Sequence, residues 1–371
     1  MIIFITIPWF LPAYRAGGPV QSIANLVNNF SNGVEYYIFC SCKDLNGEPI
    51  NSILNNQWVA YNDITKVWYD SGQCTRANML REYKKVKPDV LYIIGIFSWQ
   101  YAILPLLFCK AAKKILSIRG MLHPGALSQK IAKKQLYLFA FKTLQLYKQL
   151  TFQASDEQEA TYIKQQFGSK VAIQIAGNFA KAIEPSLPIK KMERFLKMIT
   201  VALISPMKNH LLVLQALQHC TAHIEYTIIG PIKDEAYWAL CKQHILLLPT
   251  HIKVWYKGEV SPAQVATELA ASHIFIMPSL SENFGHAIAE ALSAGKPVIT
   301  SHFTPWNNLQ QQQAGINVHN TVADILQAIQ YYAALPHSEY LPKVTAAVAY
   351  VKHKINKQQL FTQHQQLFSL T

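Results

Sequence analysis

The chain has 371 residues, of which 50% are hydrophobic and 15% are charged, and its formal net charge is +13. This length exceeds what one hydrophobic core usually supports, so the sequence predicts two domains. The composition excludes a disordered chain, and no stretch approaches the ~18 uninterrupted apolar residues that a membrane-spanning helix needs.

The first residues, Met1–Trp9, form an apolar run without a basic lead-in or a small-residue cleavage site. We interpret the run as a first core strand rather than a signal peptide. The six cysteines are scattered, and Cys40 and Cys42 are too close together for a zinc-binding pair. We therefore expect buried, reduced thiols and a cytoplasmic protein.

Predicted strands alternate with helical patterns along the whole chain, which is typical of parallel sheets wound with helices. The predicted strands are Ile2–Ile7, Glu35–Cys40, Val90–Ile94, Lys114–Ile118, Met198–Ile204, Ile224–Ile229, Ile252–Trp255, His273–Met277 and Pro297–Thr300. We predict an α/β fold with two tandem, doubly wound domains and a cleft between them. The domains are residues 1–180 and 198–340, joined by a linker at 181–197 and followed by a helical segment at 341–371.

A glycine-rich loop, Pro12–Pro19, follows the first predicted strand and precedes a helix. Gly17 and Gly18 permit close backbone approach, so they are suited to receive a phosphate or an acceptor sugar. A simple turn is the alternative. The loop is not a Gly-x-Gly-x-x-Gly dinucleotide loop, and the sequence has no Gly-Lys-Ser/Thr P-loop.

Positive charge is concentrated between Thr75 and Leu150, where fourteen Lys or Arg residues face two acids, a net +12. Residues 130–148 interleave lysines with leucine and aromatic residues, as interfacial helices do. The segment predicts an anionic partner, either a membrane surface or a lipid pyrophosphate. A surface helix with solvated lysines remains the alternative. Nucleic acid is not an expected partner, because few motif features of nucleic-acid binders are present.

Ser117–Gly125 follows a basic strand inside this segment. Arg119, at the predicted carboxyl end of that strand, suits recognition of a phosphate or an acceptor. His123 titrates near neutrality and is a candidate proton shuttle, although a lone histidine is more often a bystander.

The most informative stretch is Pro278–Thr300, in which a buried strand breaks into a polar turn, a helix and a second strand. This order places Glu282, Asn283 and Gly285 at the carboxyl end of a strand and the amino end of a helix. Ligands of open α/β sheets bind at such places. Glu290 follows about two turns along the helix.

The spacing Glu282-x7-Glu290, the Asn-Phe-Gly after Glu282 and the closing Gly-Lys-Pro-Val-Ile resemble retaining GT-B glycosyltransferases of family 4, the glycosyl transferases group 1. Arg-Gly-Met-Leu at 119–122 and Thr-Pro-Trp at 304–306 resemble the branch that makes capsule, O-antigen and exopolysaccharide. The resemblance implies a GT-B fold of two Rossmann-like domains, with a carboxyl-terminal helix that crosses back to the first domain.

The resemblance also implies residue roles. Lys208 would contact the donor diphosphate, Glu282 the sugar hydroxyls and Glu290 the ribose. The implied catalytic residues are Lys208, Glu282, Arg119 and His123, and the implied donor-binding residues are Gly17, Gly18, Ser205, Lys208, Gly230, Tyr256, Lys257, Glu282, Asn283, Phe284, Gly285 and Glu290.

One position departs from the family pattern. Leu203 occupies the place of the usual arginine, so one cation for the leaving group is missing unless His210, Lys296 or Arg119 compensates.

The implied reaction is retaining transfer of a sugar, by a hexosyltransferase, from a nucleotide-sugar donor to a glycan or lipid-linked acceptor in bacterial surface polysaccharide synthesis. No cofactor and no metal are expected, because the sequence has no Asp-x-Asp. The enzyme would be peripheral at the inner face of the cell membrane. Two alternatives stay open: a sugar-nucleotide 2-epimerase of the same fold, and a non-catalytic scaffold that binds donor or membrane.

Overall fold

The computed structural model describes residues 1–13, 15, 17–31, 33–127, 131–181, 183–185 and 187–369. The chain divides into two compact units. Unit 1 is Met1–Phe179 with the segment from Lys357 onward, and unit 2 is Ala180–Asn356.

Unit 1 is built on a sheet of eight strands within the described residues, in the order β3-β4-β2-β1-β5-β6-β7-β8. Neighbouring strands are parallel except β3, which runs antiparallel to β4. The central strands are buried on both faces of the sheet, so their sequences are continuous apolar runs. The strands are β1 (Ile2–Thr6), β2 (Glu35–Ser41), β3 (Trp58–Asn62), β4 (Thr65–Asp70), β5 (Val90–Ile94), β6 (Lys113–Ser117), β7 (Thr151–Ala154) and β8 (Ala172–Ile175).

Helices connect these strands, and most of them bury apolar side chains in the core of unit 1. A π-helix at Trp99–Ile103, a 3-10 turn at Leu146–Gln149 and the α-helices complete the unit. The α-helices of unit 1 are α1 (Gly18–Asn29), α2 (Thr75–Val86), α3 (Leu104–Phe108), α4 (Pro124–Leu127), α5 (Ile131–Thr143), α6 (Glu157–Phe167) and, from the end of the chain, α13 (Lys357–Phe368).

Unit 2 has a six-stranded parallel sheet in the order β11-β10-β9-β12-β13-β14, counted over the described residues. Its strands are β9 (Phe195–Val201), β10 (His223–Ile229), β11 (Ile252–Tyr256), β12 (Ile274–Met277), β13 (Val298–Ser301) and β14 (Gly315–Val318). The strand order reverses between β9 and β12, so the loops that follow these two strands leave the sheet in opposite directions. A topological switch point of this kind opens a crevice for ligands.

The helices of unit 2 cover both faces of this sheet. They are α7 (His210–Leu217), α8 (Glu235–Leu246), α9 (Pro262–Ala270), α10 (His286–Ser293), α11 (Val322–Ala334) and α12 (His337–Lys354).

The segment predicted as a linker at 181–197 is anchored in unit 2, and β9 begins within it at Phe195. Lys191 is almost completely buried, and its ammonium donates to the carbonyls of Met192, Ala333 and Leu335. The last two carbonyls belong to the end of α11, where a cation satisfies otherwise unpaired acceptors. Burial lowers the pKa of Lys191 to about 8.

The carboxyl-terminal segment, predicted as one helical tail from residue 341, consists of two helices that belong to different units. Helix α12 lies in unit 2, where Val344 contacts Gly295. Helix α13 lies in unit 1, where Phe361 and Phe368 pack against Phe30. An amphipathic period identifies a helix but not the core that receives its apolar face.

Within the described residues, no helix is long and apolar enough to cross a membrane. The same residues contain no cluster of three or more His, Cys, Asp or Glu side chains that would hold a metal ion.

Candidate functional site

Two loops meet at the switch point of unit 2, one after β9 and one after β12. The backbone N–H of Leu280 donates to the carbonyl of Met207 at 2.9 Å, and the amide of Asn209 donates to the carbonyl of Pro278 at 3.2 Å. These bonds hold the loop of Lys208 against the loop of Glu282.

Lys208 and Glu282 form an ion pair across this junction, in which the ammonium donates to one carboxylate oxygen. Ser279 Oγ donates to the same oxygen at 3.1 Å. The side chains of Lys208 and Glu282 are 19% and 11% exposed, so the pair is half-buried but reachable from solvent. The structure thus brings together two residues that lie far apart in the sequence.

The local sequence explains how Lys208 reaches this position. Ser205 and Pro206 begin a single 3-10 turn, closed by a bond from the N–H of Lys208 to the carbonyl of Ser205 at 3.0 Å. Asn209 then adopts the left-handed conformation, with φ 61°, and starts α7. Ser205 is mostly buried, so it acts on the site chiefly through the shape of this turn.

Gly285 starts α10 with φ 76°, a left-handed conformation that favours glycine. A Cβ atom there would lie 3.2 Å from Ile288 Cδ1 and 3.3 Å from Trp306 Nε1. Trp306, almost wholly buried, donates to the carbonyl of Phe284 and packs against its ring. The Thr-Pro-Trp motif therefore supports the turn from beneath. Asn283 and Phe284, both half-buried, lie in that turn beside Glu282.

Glu290 lies on α10, two turns after Glu282 and partly accessible to solvent. Burial raises the pKa of its carboxyl to about 7, and Lys181 opposes that rise. Among the described residues, none donates a hydrogen bond to this carboxylate. A half-enclosed acceptor without donors is suited to ligand hydroxyls.

Gly230 and Tyr256 lie at the carboxyl edge of the sheet, after β10 and at the end of β11. Gly230 has φ 141°, and a Cβ atom there would lie 2.0 Å from the carbonyl oxygen of Ala202. Tyr256 donates its hydroxyl to the carbonyl of Gly230 at 2.9 Å, and Lys257 pairs with Glu268 on α9. The Tyr256 hydroxyl and the Lys257 ammonium are therefore engaged within unit 2.

His210 and Lys296 are the two residues of unit 2 that were considered as compensation for Leu203. His210 is 1% exposed, and burial together with Lys208 lowers its pKa to about 3, so it is neutral. Lys296 precedes β13 at the opposite edge of the sheet, where its ammonium donates to the carbonyl of Ala270 at 3.2 Å. Neither supplies a cation beside Lys208.

Lys233 is a cation at this edge that sequence reasoning missed. Its backbone N–H donates to the carbonyl of Ile204 at 3.1 Å, which places the loop after β10 against the loop of Leu203. The Lys233 side chain is exposed. The sequence feature that could have identified Lys233 is its position directly after Gly230-Pro-Ile.

Gly17 and Gly18 lie in unit 1, at the start of α1. Gly17 has φ 71°, and the space around the Cβ position of Gly18 is open. The backbone at Gly17 and Gly18 is therefore open to close approach, and its use by a phosphate or sugar stays a prediction. Its residues Tyr14 and Ala16 lie outside the described residues.

Arg119, also in unit 1, is held away from solvent. It has φ 52° and is 8% exposed, and its guanidinium donates to Asn178 and, at 2.8 Å, to the hydroxyl of Tyr92. Glu159 stabilises the turn by accepting from the N–H of Gly120. The two terminal nitrogens are thus engaged inside unit 1, whereas the buried Nε has no hydrogen-bond partner among the described residues. The role of Arg119 in phosphate recognition, or as compensation for Leu203, stays a prediction.

His123 is half-buried beside Tyr162, and its Nδ1 accepts from the N–H of Gly125 at 3.1 Å. Burial lowers the pKa of its imidazole, which keeps it neutral at pH 7.

One sequence-family model matches most of unit 2. Residues 182–333 match the family model described as "Glycosyl transferases group 1". No curated protein matches the chain.

Solved structures resemble the whole chain. Sucrose-phosphate synthase from Thermosynechococcus elongatus superposes with a TM-score of 0.72 at 15% identity, covering 99% of this chain and 98% of that one. HepE from Anabaena, in complex with UDP and glucose, has a TM-score of 0.71 at 14% identity, and WaaG, a glycosyltransferase involved in lipopolysaccharide biosynthesis, one of 0.67 at 10%. Each of these two superpositions covers 100% of this chain and 100% of the other one. The predicted GT-B fold is thereby confirmed.

Proposed function

We propose that this chain is a retaining glycosyltransferase that transfers a sugar, as a hexosyltransferase, from a nucleotide-sugar donor to a glycan or lipid-linked acceptor. The observation that carries the proposal is the Lys208–Glu282 pair at the switch point of unit 2, beside the start of α10. This arrangement supplies a cation, a hydroxyl acceptor and a helix amino terminus within one crevice, which is what a sugar diphosphate requires.

In this proposal the donor diphosphate lies by Lys208 and the first N–H groups of α10. The ammonium shifts from the carboxylate toward the phosphate as the donor binds, and Glu282 then accepts hydrogen bonds from sugar hydroxyls. Negative charge grows on the diphosphate as the glycosidic bond breaks. Fixed positive charge beside the diphosphate lowers the activation barrier for sugar transfer. Correct positioning of the donor and the acceptor lowers it further.

The proposed role of Glu290 completes the donor site of unit 2. Glu290 accepts hydrogen bonds from the ribose hydroxyls, because its carboxylate has no internal donor among the described residues. Replacing it with alanine should weaken nucleotide binding by about 1.5–3 kcal/mol, the range for hydrogen bonds to a charged group. Isothermal titration with UDP measures this, and unchanged affinity in a folded variant would remove the assignment.

A nucleotide sugar as donor is supported by a structural relative, HepE, whose structures include complexes with UDP-glucose. Membership of family 4, and of its branch for surface polysaccharides, is proposed from the motifs at 119–122, 282–290 and 304–306. We propose that no metal or cofactor takes part, since Lys208 and the α10 start can serve the diphosphate and the sequence has no Asp-x-Asp. Activity should therefore survive excess chelator.

Product analysis tests the proposal against its alternatives. The protein is incubated with a panel of nucleotide sugars and a lipid-linked acceptor, and products are identified by mass spectrometry. A transferase yields a heavier acceptor, and NMR of its anomeric proton then tests retention of configuration. An epimerase converts the donor without any acceptor, whereas a scaffold binds the donor without turnover.

A thermal-shift screen over nucleoside diphosphates and nucleotide sugars should precede this assay, because a ligand that binds the native state raises its melting temperature. The screen identifies the base and the sugar to be used as donor.

A further inference from the structure

A groove of about 460 Å³ lies on the surface of unit 1, and none of its lining residues belongs to the candidate donor site of unit 2. Helices α4 and α5 form most of it, and α6 contributes one residue. Its lining residues are Pro124, Leu127, Ile131, Lys134, Gln135, Leu138, Phe139, Lys142 and Gln166. A volume of this size is in the range that holds one small ligand.

Helix α5 is unusual because it exposes more of its large apolar side chains than it buries. Only Leu138 and Phe141 are buried on this helix. Leu136 and Phe139 are 70% and 68% exposed, and Ile131 is also exposed. Exposed apolar side chains beside a groove indicate a binding surface rather than ordinary solvent-facing positions.

The charge around the groove has one sign. Lys134 and Lys142 line it. Lys134 is held in place by a bond to the carbonyl of Ala126 and by the ring of Phe97, 5.4 Å from its ammonium. Residues 90–150 contain no Asp or Glu, so the two helices that form most of the groove carry no acidic side chain.

An apolar trough with two ammonium groups complements a molecule that has a hydrocarbon chain and an anionic head. We propose that this groove binds the single hydrocarbon chain of a lipid phosphate, with the phosphate at Lys142 and the chain against Ile131, Leu138 and Phe139. Long lysine side chains serve both parts, since their stems are apolar and their ends are charged. The identification of this lipid with the acceptor of the transfer reaction rests on the proposed function, whereas the binding itself does not.

The test uses decyl and dodecyl phosphate below their micelle concentrations, titrated into the full chain by calorimetry. Affinity should rise about fourfold for each methylene that enters the groove. Phe139→Ser should lower affinity for dodecyl phosphate at least tenfold. Leu136→Ser is the matched control, because Leu136 is equally exposed on the same helix but does not line the groove. It should bind as the wild type does.

A second pair of variants tests the phosphate. Lys142→Gln should weaken dodecyl phosphate at least fivefold and leave dodecanol unchanged, while Lys148→Gln, at an exposed lysine outside the groove, should change neither. Circular dichroism and UDP titration of each variant show that the fold and the donor site of unit 2 are intact. If the wild-type protein does not bind UDP, that result counts against the proposed function and not against lipid binding in the groove.

Three results would overturn the inference. The first is no binding of monomeric alkyl phosphates. The second is full competition by inorganic phosphate with no dependence on chain length, which would indicate an anion site. The third is equal loss in Phe139→Ser and Leu136→Ser, which would indicate a general apolar surface rather than a groove.

Discussion

At the scale of single residues, the decisive feature is how charge is distributed at the switch point of unit 2. Lys208 shares its ammonium with Glu282, His210 is neutral and Lys296 lies at the other edge of the sheet. Leu203 adds no charge. The proposed leaving group therefore depends on very few cations, and removal of one should have a large effect on turnover.

We expect Lys208→Ala to lower kcat by about 10²–10³-fold, the loss seen when one charge-stabilising donor is removed, with a smaller rise in the KM for donor. Lys253→Ala, at an exposed position on β11, is the control and should retain wild-type rates. Steady-state kinetics with the donor found by thermal shift provides the measurement. An unchanged kcat in Lys208→Ala would assign the charge to another residue, of which Lys233 is the first to test.

The raised pKa of Glu290 predicts how the free energy of unfolding depends on pH. Its folded pKa is raised to about 7 from 4.5, so the native state holds a proton that the unfolded state releases. The favourable contribution is complete below pH 4.5 and is lost as pH rises through 7, because burial penalises the carboxylate. The free energy of unfolding of the wild type should thus fall relative to Glu290→Gln between pH 5 and 8, by no more than about 3 kcal/mol.

Urea denaturation of both proteins at several pH values measures this difference. A constant difference over that range would mean that Glu290 is not protonated near neutral pH. Bound nucleotide must be absent, since a ligand would stabilise the native state by itself.

At the scale of secondary structure elements, the site depends on how closely β9 and β10 approach at their carboxyl ends. Gly230 is the point of contact, because a Cβ atom would lie 2.0 Å from the carbonyl oxygen of Ala202. No side chain fits without movement of the backbone, and this movement would displace the loop that leads to Lys208.

Gly230→Ala should therefore destabilise unit 2 by at least about 2 kcal/mol, and more than Gly258→Ala does. Gly258 is the matched control in the same unit: its φ of 65° is also positive, but nothing lies within 4 Å of the added Cβ. Chemical denaturation gives both values. Equal losses in the two variants would mean that conformational strain alone, and not the contact with Ala202, sets the cost.

Element prediction from the sequence succeeded where strands are fully buried and continuously apolar. The runs at Val90–Ile94 and His273–Met277 match β5 and β12 almost residue for residue. Strands β3, β4, β7, β8 and β14 were not predicted. Strands β3 and β8 are partly exposed, β7 and β14 have only four residues each, and β4, although buried at five of its six positions, mixes polar and charged residues with its apolar ones. Such strands have too few apolar residues to produce a pattern, and their pairing with neighbours decides their conformation.

At the scale of the whole molecule, the net charge of +13 is concentrated in unit 1. We propose that this face attaches the protein to an anionic membrane. Among the lysines of residues 130–148, Lys130 lies outside the described residues and Lys134 is tied to Ala126. Lys133 and Lys148 are exposed and are therefore better choices, since their reversal should not disturb the fold.

Sedimentation with anionic vesicles should be strong at low salt, fall steeply as salt screens the attraction, and be greatly reduced in the double variant Lys133→Glu, Lys148→Glu. Each basic residue near the surface contributes about 1 kcal/mol, and reversal also adds repulsion. UDP binding in unit 2 should be unaffected. Equal sedimentation with neutral and anionic vesicles, or none with either, would remove the membrane from the proposal.

The sequence alone was sufficient for the GT-B fold and for the neighbourhood of Glu282, Gly285 and Glu290. These depend on local order along the chain: a buried strand, a turn and a helix start that follow one another within a few residues. Backbone geometry then places such residues at the carboxyl edge of a parallel sheet, whatever the rest of the chain does.

Only the tertiary structure decided which of the charged side chains are available. Arg119 donates hydrogen bonds to Asn178 and Tyr92. Lys257 pairs with Glu268, and Lys191 donates to carbonyls at the end of α11. Each of these partners except Glu268 lies far away in the sequence. Burial and pairing are set by the packing of distant elements, and they decide whether a basic residue faces a ligand or holds the fold together.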